Sequence, residues 1–410
     1  MGEPTTGYVG FSEHPELPVP AGGGVDEESA LLPPDRHPES CRSKLRTIIK
    51  AFTPSSYTIL LLGFIPLGII FGVLDKPHRY TFWFNFLAIL PLSQLISRKL
   101  RRLSAILGPQ LGGILHALLD NALLLIICIA AIQNGDPRVA QSCVLGSVLA
   151  NLLLEVVGSC FLIGGIRHSE SIFSSTYAST ASSLMIVAST SLVVPSAISE
   201  VHCRINSDCE DELVRMSRAV SLALLFLFSV YLHYRLRSHR VLFVDPLSQV
   251  LDGLSDTGYL LFGILEAMLL LAVLALASTS AHFLVRTLGA AADFKIISNR
   301  VASFVLLPLA ADGPARIEAI MAAYRNEMDR SLNFAIGRSM HVALFVTPIL
   351  VLFSWAVQSS HPMTLHFPTL ETVSIFFGTL LVAELCRDGK SDYLEGAMCL
   401  VTYLILSFSF

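Results

Sequence analysis

The chain has 410 residues, of which 53% are hydrophobic and only 15% charged, and its mean hydropathy is +0.63. A water-soluble domain of that size would have difficulty hiding so much apolar surface, so the composition points to a membrane protein with many spans. The net charge of −4 is small and spread over loops, which excludes the concentrated basic field of a nucleic-acid binder and a groove for acidic substrates. Neither a phosphate loop, a nucleophile elbow nor a zinc spacing is present, so a soluble enzyme and a resident cofactor are not expected either.

In chain order, residues 1–53 are rich in Pro, Gly, Glu and Ser and contain no hydrophobic run; they read as a disordered cytosolic tail. Within it, Glu27-Glu28-Ser29-Ala30-Leu31-Leu32 has the form of an acidic dileucine sorting signal, and an ordinary acidic tail is the alternative. Met1-Gly2 with Thr6 fits the myristoylation pattern only formally. Eleven stretches then reach the roughly 20 apolar residues that a span needs. They lie near 57–74, 80–97, 108–133, 139–164, 179–198, 217–235, 258–285, 301–323, 332–356, 369–386 and 393–410. With a cytosolic N-terminus, the loops on that side and their flanks hold sixteen Lys and Arg against nine on the other, the bias expected of cytosolic loops. Four cysteines (Cys128, Cys143, Cys160, Cys399) sit inside apolar runs, where thiols act as small hydrophobes. Cys203 and Cys209 share a polar lumenal loop, where a disulfide and two free thiols are both compatible with the sequence.

Spans three and eight carry polar interruptions, Leu119-Asp120-Asn121-Ala122 and Ala311-Asp312-Gly313-Pro314. They are five spans apart, and an odd repeat length inverts the second copy in the membrane, the plan of many secondary transporters. Spans four and nine open with Gly146-Ser147 and Gly337-Arg338, small residues that let backbones approach. The expected architecture is all-α with about 11 transmembrane helices: a leading helix and loop (54–79), a first five-helix repeat (80–236), a cytosolic linker (237–257) and an inverted second repeat (258–410).

From about Phe64 to the last residue the chain resembles the vacuolar calcium/proton exchanger family. The resemblance rests on ordered blocks, among them Phe64-Ile65-Pro66-Leu67-Gly68-Ile69-Ile70, Asn85-Phe86-Leu87-Ala88-Ile89-Leu90-Pro91-Leu92, Gly164-Gly165-Ile166-Arg167-His168, Ser339-Met340-His341-Val342-Ala343-Leu344 and Asp388-Gly389-Lys390-Ser391-Asp392-Tyr393. It implies a vacuolar multi-pass antiporter that exchanges calcium or another cation for protons, with lipid, the cation and protons as its partners. Self-association or association with exchanger relatives is compatible with it. In that family each repeat carries a Gly-Asn-Ala-x-Glu core whose glutamate binds the cation when ionised and a proton when neutral. Here the glutamate positions fall on Leu124 and Ala315, Asp120 stands at the Gly position and Asp312 at the second Asn position. Arg316 stands where the family has His, Arg338 where it has a small hydroxyl residue, His341 where it has Gln and His282 where it has a membrane acid. The acids that end the family's second span become Arg101 and Arg102.

A divalent ion leaving water needs ionised ligands, and calcium takes six to eight oxygens. The candidates for ion binding or proton coupling are Asp120, Asn121, Asn151, Asp312, Glu318, His116 and His341, with Asp120 and Asp312 as metal ligands. Arg316 and Arg338 oppose the site. Asp120 precedes Leu124 by four residues, spacing that places both on one helix face, and His116 is one turn further back. Asp312 before Gly313-Pro314 reads as a helix cap, with Arg316 spaced to pair with it, and Glu318 is either a ligand or a partner of Arg325. Glu155 and Glu266 read as structural acids with an Arg nearby, and Ser147 and Ser339 as surviving hydroxyls. Two functions follow: an exchanger with a degenerate ion site, or a transport-inactive relative acting as a membrane regulatory partner.

Overall fold

A computed structural model describes residues 61–74, 78–168, 170–202, 209–238, 256–288, 298–358 and 362–409. The tail with its sorting patterns, the pairing of Cys203 with Cys209 and most of the 237–257 linker lie outside the described residues. Each of the eleven predicted stretches contains helix. Helix α1 is Phe64–Val73. His78–Leu119 is a long helix interrupted at Gly108, which divides it into α2 (78–107) and α3 (Gln110–Leu119). The interruption has a local cause: Pro109 disfavours helical backbone in the residue before it, and Gly108 takes φ 79° and ψ 175°, a conformation costly for a residue with a Cβ.

The chain continues through α4 (Ala122–Gln133), α5 (Pro137–His168), α6 (Ser175–His202), α7 (Cys209–His233) and α8 (Asp256–Arg286). It closes with α9 (299–324), α10 (Met328–Ala356), α11 (Thr369–Leu385) and α12 (Tyr393–Ser409). Among the described residues, five helices are long and apolar enough to cross a membrane, or six if α3 and α4, bent by 41° at their junction, form one broken span.

Burial separates the centre from the rim. The apolar window of α5 is 69% buried and that of α10 67%, whereas that of the Leu261–Arg286 stretch of α8 is 17% buried. On α8, Leu261, Ile264, Leu265, Met268 and Leu271 are exposed, an apolar outer face suited to lipid chains. Helix α8 packs along α2, α6 along α11, and α12 along the second half of α5. At the centre α5 meets both α9 and α10. Gly146 makes one such approach possible: a Cβ there would lie 1.9 Å from the main-chain oxygen of Phe304 in α9. Two short strands, β1 (Ser171–Ile172) and β2 (Lys390–Ser391), pair antiparallel with Ser171 opposite Ser391, joining the loops that follow α5 and α11.

Helices α5, α9 and α10 each contain wider π-type turns, at Ala150–Phe161, Ala302–Leu306 and Val342–Val346. Such turns cluster at functional sites because they re-aim side chains and loosen the backbone ladder. In α5 and α10 they begin at corresponding places, four and five residues after Gly146 and Gly337.

Candidate functional site

The site lies where the α3/α4 break, α5, α9 and α10 converge. Leu119 ends α3 and Ala122 begins α4, so Asp120 and Asn121 occupy the break itself. Asn121 makes no side-chain cap to α4, and its Oδ1 lies 3.2 Å from Arg338 Nη2. The Asp120 carboxylate sits 3.8 Å from Arg338 Nε and 3.9 Å from His116 Nε2. The expected pairing of His116 with Asp120 is therefore present. The expected common face of Asp120 and Leu124 is not: the 41° bend falls between them, and Leu124 is fully buried in the apolar core.

Asp312 also departs from its predicted role. Leu307–Tyr324 is one continuous helix with Pro308 in its first turn and Pro314 inside it, so Asp312 caps nothing. Its carboxylate is satisfied from other elements instead. Arg338 donates from Nη2 to Oδ1 at 2.7 Å, Ser147 donates to Oδ2 at 2.8 Å, and Arg316 Nη2 stands 3.7 Å from Oδ2. Arg316 then reaches back into α5, donating to Asn151 Oδ1 at 2.9 Å and placing Nε 3.4 Å from Glu155 Oε2. Asn151 Nδ2 is 3.5 Å from Ser147 Oγ. The Arg expected beside Glu155 is thus Arg316. The Arg338 guanidinium also lies 3.3 Å from the main-chain oxygen of Asp120.

This network is almost wholly withdrawn from solvent, with Asp312 and Glu155 each 1% exposed and Arg316 and Arg338 each 5%. Burying a charge is costly unless a partner offsets it. Two guanidinium groups meet three carboxylates, from Asp120, Asp312 and Glu155. Both Asp312 oxygens are occupied, Oδ1 by Arg338 and Oδ2 by the Ser147 hydroxyl. Among the described residues no three of His, Cys, Asp and Glu are grouped to hold a metal ion.

Other predicted residues lie apart. Ala315 is half-buried and supplies no ligand atom. Glu318 is engaged by Arg101 of α2, not by Arg325. Glu266 is buried between Lys99 at 2.9 Å and Arg102 at 3.3 Å, so the arginines at the ends of the second span bind the second half of the chain. His282 is exposed on α8, and Ser339 donates to the Ala335 main-chain oxygen within its own helix. His341 is buried with Nε2 3.3 Å from Arg235 Nη1. Arg235 had no predicted place at the site. Its only signal was position: a cation at the end of an apolar span, indistinguishable in sequence from an ordinary loop charge.

A helix broken at Asp120 and Asn121 in the first half meets the continuous α9 of the second around a buried polar cluster, an arrangement that fits a secondary ion transporter. The chain belongs to the sodium/calcium exchanger family, whose model matches residues 78–237 and 265–410. It is 34% identical to the "Vacuolar calcium ion transporter" of Schizosaccharomyces pombe over 88% of this chain and 86% of that protein. It is 32% identical to "Vacuolar cation/proton exchanger 3" of Oryza sativa subsp. japonica over 92% and 89%. Among solved structures, native YfkE superposes with a TM-score of 0.70 at 25% identity, covering 86% of this chain and 98% of that one. The structure of an H+/Ca2+ exchanger, CAX, superposes with a TM-score of 0.62 at 16% identity and shows the fold alone.

Proposed function

We propose that the protein is a secondary antiporter of the vacuolar membrane that exchanges calcium or another cation for protons, and that the entering cation must displace Arg338 from Asp312. The N-terminus is cytosolic, and the two repeats span 80–236 and 258–410. The observation that carries this reading is the buried 2.7 Å contact of Arg338 Nη2 with Asp312 Oδ1, together with Ser147 on the other oxygen. An acid from one half and a hydroxyl from the other are the remaining oxygens of a central cation site, and a guanidinium fills the place of the cation. Displacing it costs the Arg338–Asp312 attraction, so the wild type holds calcium weakly. Asp120, 3.8 Å from the same guanidinium, is positioned to retain Arg338 when Asp312 is given over to the cation.

The test is proton-gradient-driven calcium uptake into proteoliposomes. Arg338→Ser is expected to raise calcium affinity, and Asp312→Asn to abolish uptake in both backgrounds. Uptake unaffected by Asp312→Asn would overturn the reading. The second reading, a transport-inactive relative acting as a membrane partner of active exchangers, is favoured by one observation: Arg316 and Arg338 together contact all three carboxylates of the centre. No uptake of any cation by wild type or Arg338→Ser, with the protein folded, selects it.

A further inference from the structure

Arg316 of α9 stands between two buried carboxylates and is hydrogen-bonded to neither. Its Nη2 is 3.7 Å from Asp312 Oδ2 and its Nε 3.4 Å from Glu155 Oε2, both beyond the roughly 2.7–3.2 Å of a formed hydrogen bond. Arg316 Nε and Nη1 and both Glu155 oxygens are buried with no hydrogen-bond partner among the described residues. The guanidinium is held instead by Asn151, whose Oδ1 accepts from Nη2 at 2.9 Å. Asn151 and Glu155 both belong to the widened turns Ala150–Phe161 of α5. A small rotation of the planar group about its Asn151 contact brings a pair of N–H donors onto one carboxylate or the other, the two-pronged arrangement that guanidinium and carboxylate favour.

The two acids are not equivalent. Asp312 has other donors, Arg338 on Oδ1 and Ser147 on Oδ2. Glu155 is 1% exposed, and among the described residues its ion-pair contact is with Arg316. A buried carboxylate without aligned donors is costly, so Glu155 is an acceptor whose shell is incomplete until Arg316 turns toward it. We infer that Glu155 is a positioning residue for exchange: it takes up Arg316 when the cation takes Asp312. This inference rests on the proposed entry of the cation at Asp312. A divalent ion there repels a guanidinium 3.7 Å from the same carboxylate, and Glu155 gives that guanidinium a second anion within reach. Glu155 then does for Arg316 what Asp120 does for Arg338, and the ion occupies Asp312 with both guanidinium groups still paired.

The experiment measures calcium-dependent thermal stabilisation of the full-length protein in nanodiscs, as a cycle of wild type, Glu155→Gln, Arg316→Gln and the double variant. Glu155→Gln should raise the half-saturating calcium concentration about tenfold, the weight of one charge-assisted hydrogen bond. In the Arg316→Gln background the same substitution should leave it unchanged, because the group that Glu155 positions is gone. A tenfold rise in both backgrounds means that Glu155 acts through its charge alone and overturns the inference, as does no rise in either. Arg316→Gln strands a buried carboxylate, so a second measurement dispenses with that variant. A structure of Arg338→Ser with calcium bound should show Arg316 hydrogen-bonded to Glu155 and withdrawn from Asp312; Arg316 still shared between the two acids overturns the inference. Calcium binding that Asp312→Asn removes and Glu155→Gln does not weaken overturns this inference and leaves the proposed function standing. Absence of calcium binding in both wild type and Arg338→Ser overturns the two together.

Discussion

The two halves of the molecule contribute unequally to its centre. From the first come Asn121, Ser147 and Asn151, neutral groups, with Asp120 at the break and Glu155 deeper in α5. From the second come Asp312, Arg316 and Arg338, all charged. The contacts run between halves: Ser147 to Asp312, Asn121 to Arg338, Asn151 to Arg316. Both cations of the central network therefore belong to one half, and the other supplies two of the three carboxylates that offset them together with neutral hydrogen-bond partners. A site working with one equivalent acid per half would be balanced; here the second half supplies acid and counter-cation together.

That asymmetry can be broken by mutation, with the largest effect expected at its centre. Asp312→Asn leaves Arg338 and Arg316 without their shared carboxylate, and stripping one partner from a buried ion pair costs about 3–5 kcal/mol; a pronounced fall in the thermal unfolding midpoint is expected. Adding Arg338→Met to an Asp312→Leu background should recover most of the loss, because an apolar pair of similar volume carries no desolvation penalty. Gly146→Ala tests the packing that brings the halves together: with a Cβ 1.9 Å from the Phe304 oxygen, overpacking should cost about 1–3 kcal/mol. On the neutral side, Ser147→Ala removes one interhelical hydrogen bond, and unfolding in detergent should register a loss of only about 0.6 kcal/mol, the average for such bonds between membrane helices. Smallest is Arg101→Gln, whose pair with Glu318 is about a third exposed on both sides, so the change should stay below about 0.5 kcal/mol. A Ser147→Ala effect as large as that of Asp312→Asn would show that the halves share the burden equally.

Much of the fold was legible because it is written in local pattern. Apolar length marked the helices and Gly146 the close approach; the Asp120-Asn121 insertion marked the α3/α4 break, but the matching insertion at Asp312 interrupts no helix. Local spacing also placed His116 beside Asp120 and Arg316 beside Asp312. Long-range pairings were not legible. Arg338 lies 217 residues from Asn121, and Arg101 lies 217 from Glu318; which side chains meet over such separations depends on how whole helices pack. Asp312 was misread as a cap for the same reason. The Asp-Gly-Pro pattern has a strong local meaning, and it was overridden by donors from α5 and α10 that no local rule anticipates.

Arg338 has one further consequence. Because it is anchored a fixed distance from Asp312, its effective concentration at that carboxylate is set by a short stretch of chain and does not dilute, at least millimolar by analogy with short linkers. Under the proposed exchange, a soluble cation would have to outcompete that standing local dose from bulk solution. The protein would then respond to cation levels over a higher range than a relative with an unobstructed acid, and a single substitution at position 338 resets that range without touching an ion ligand.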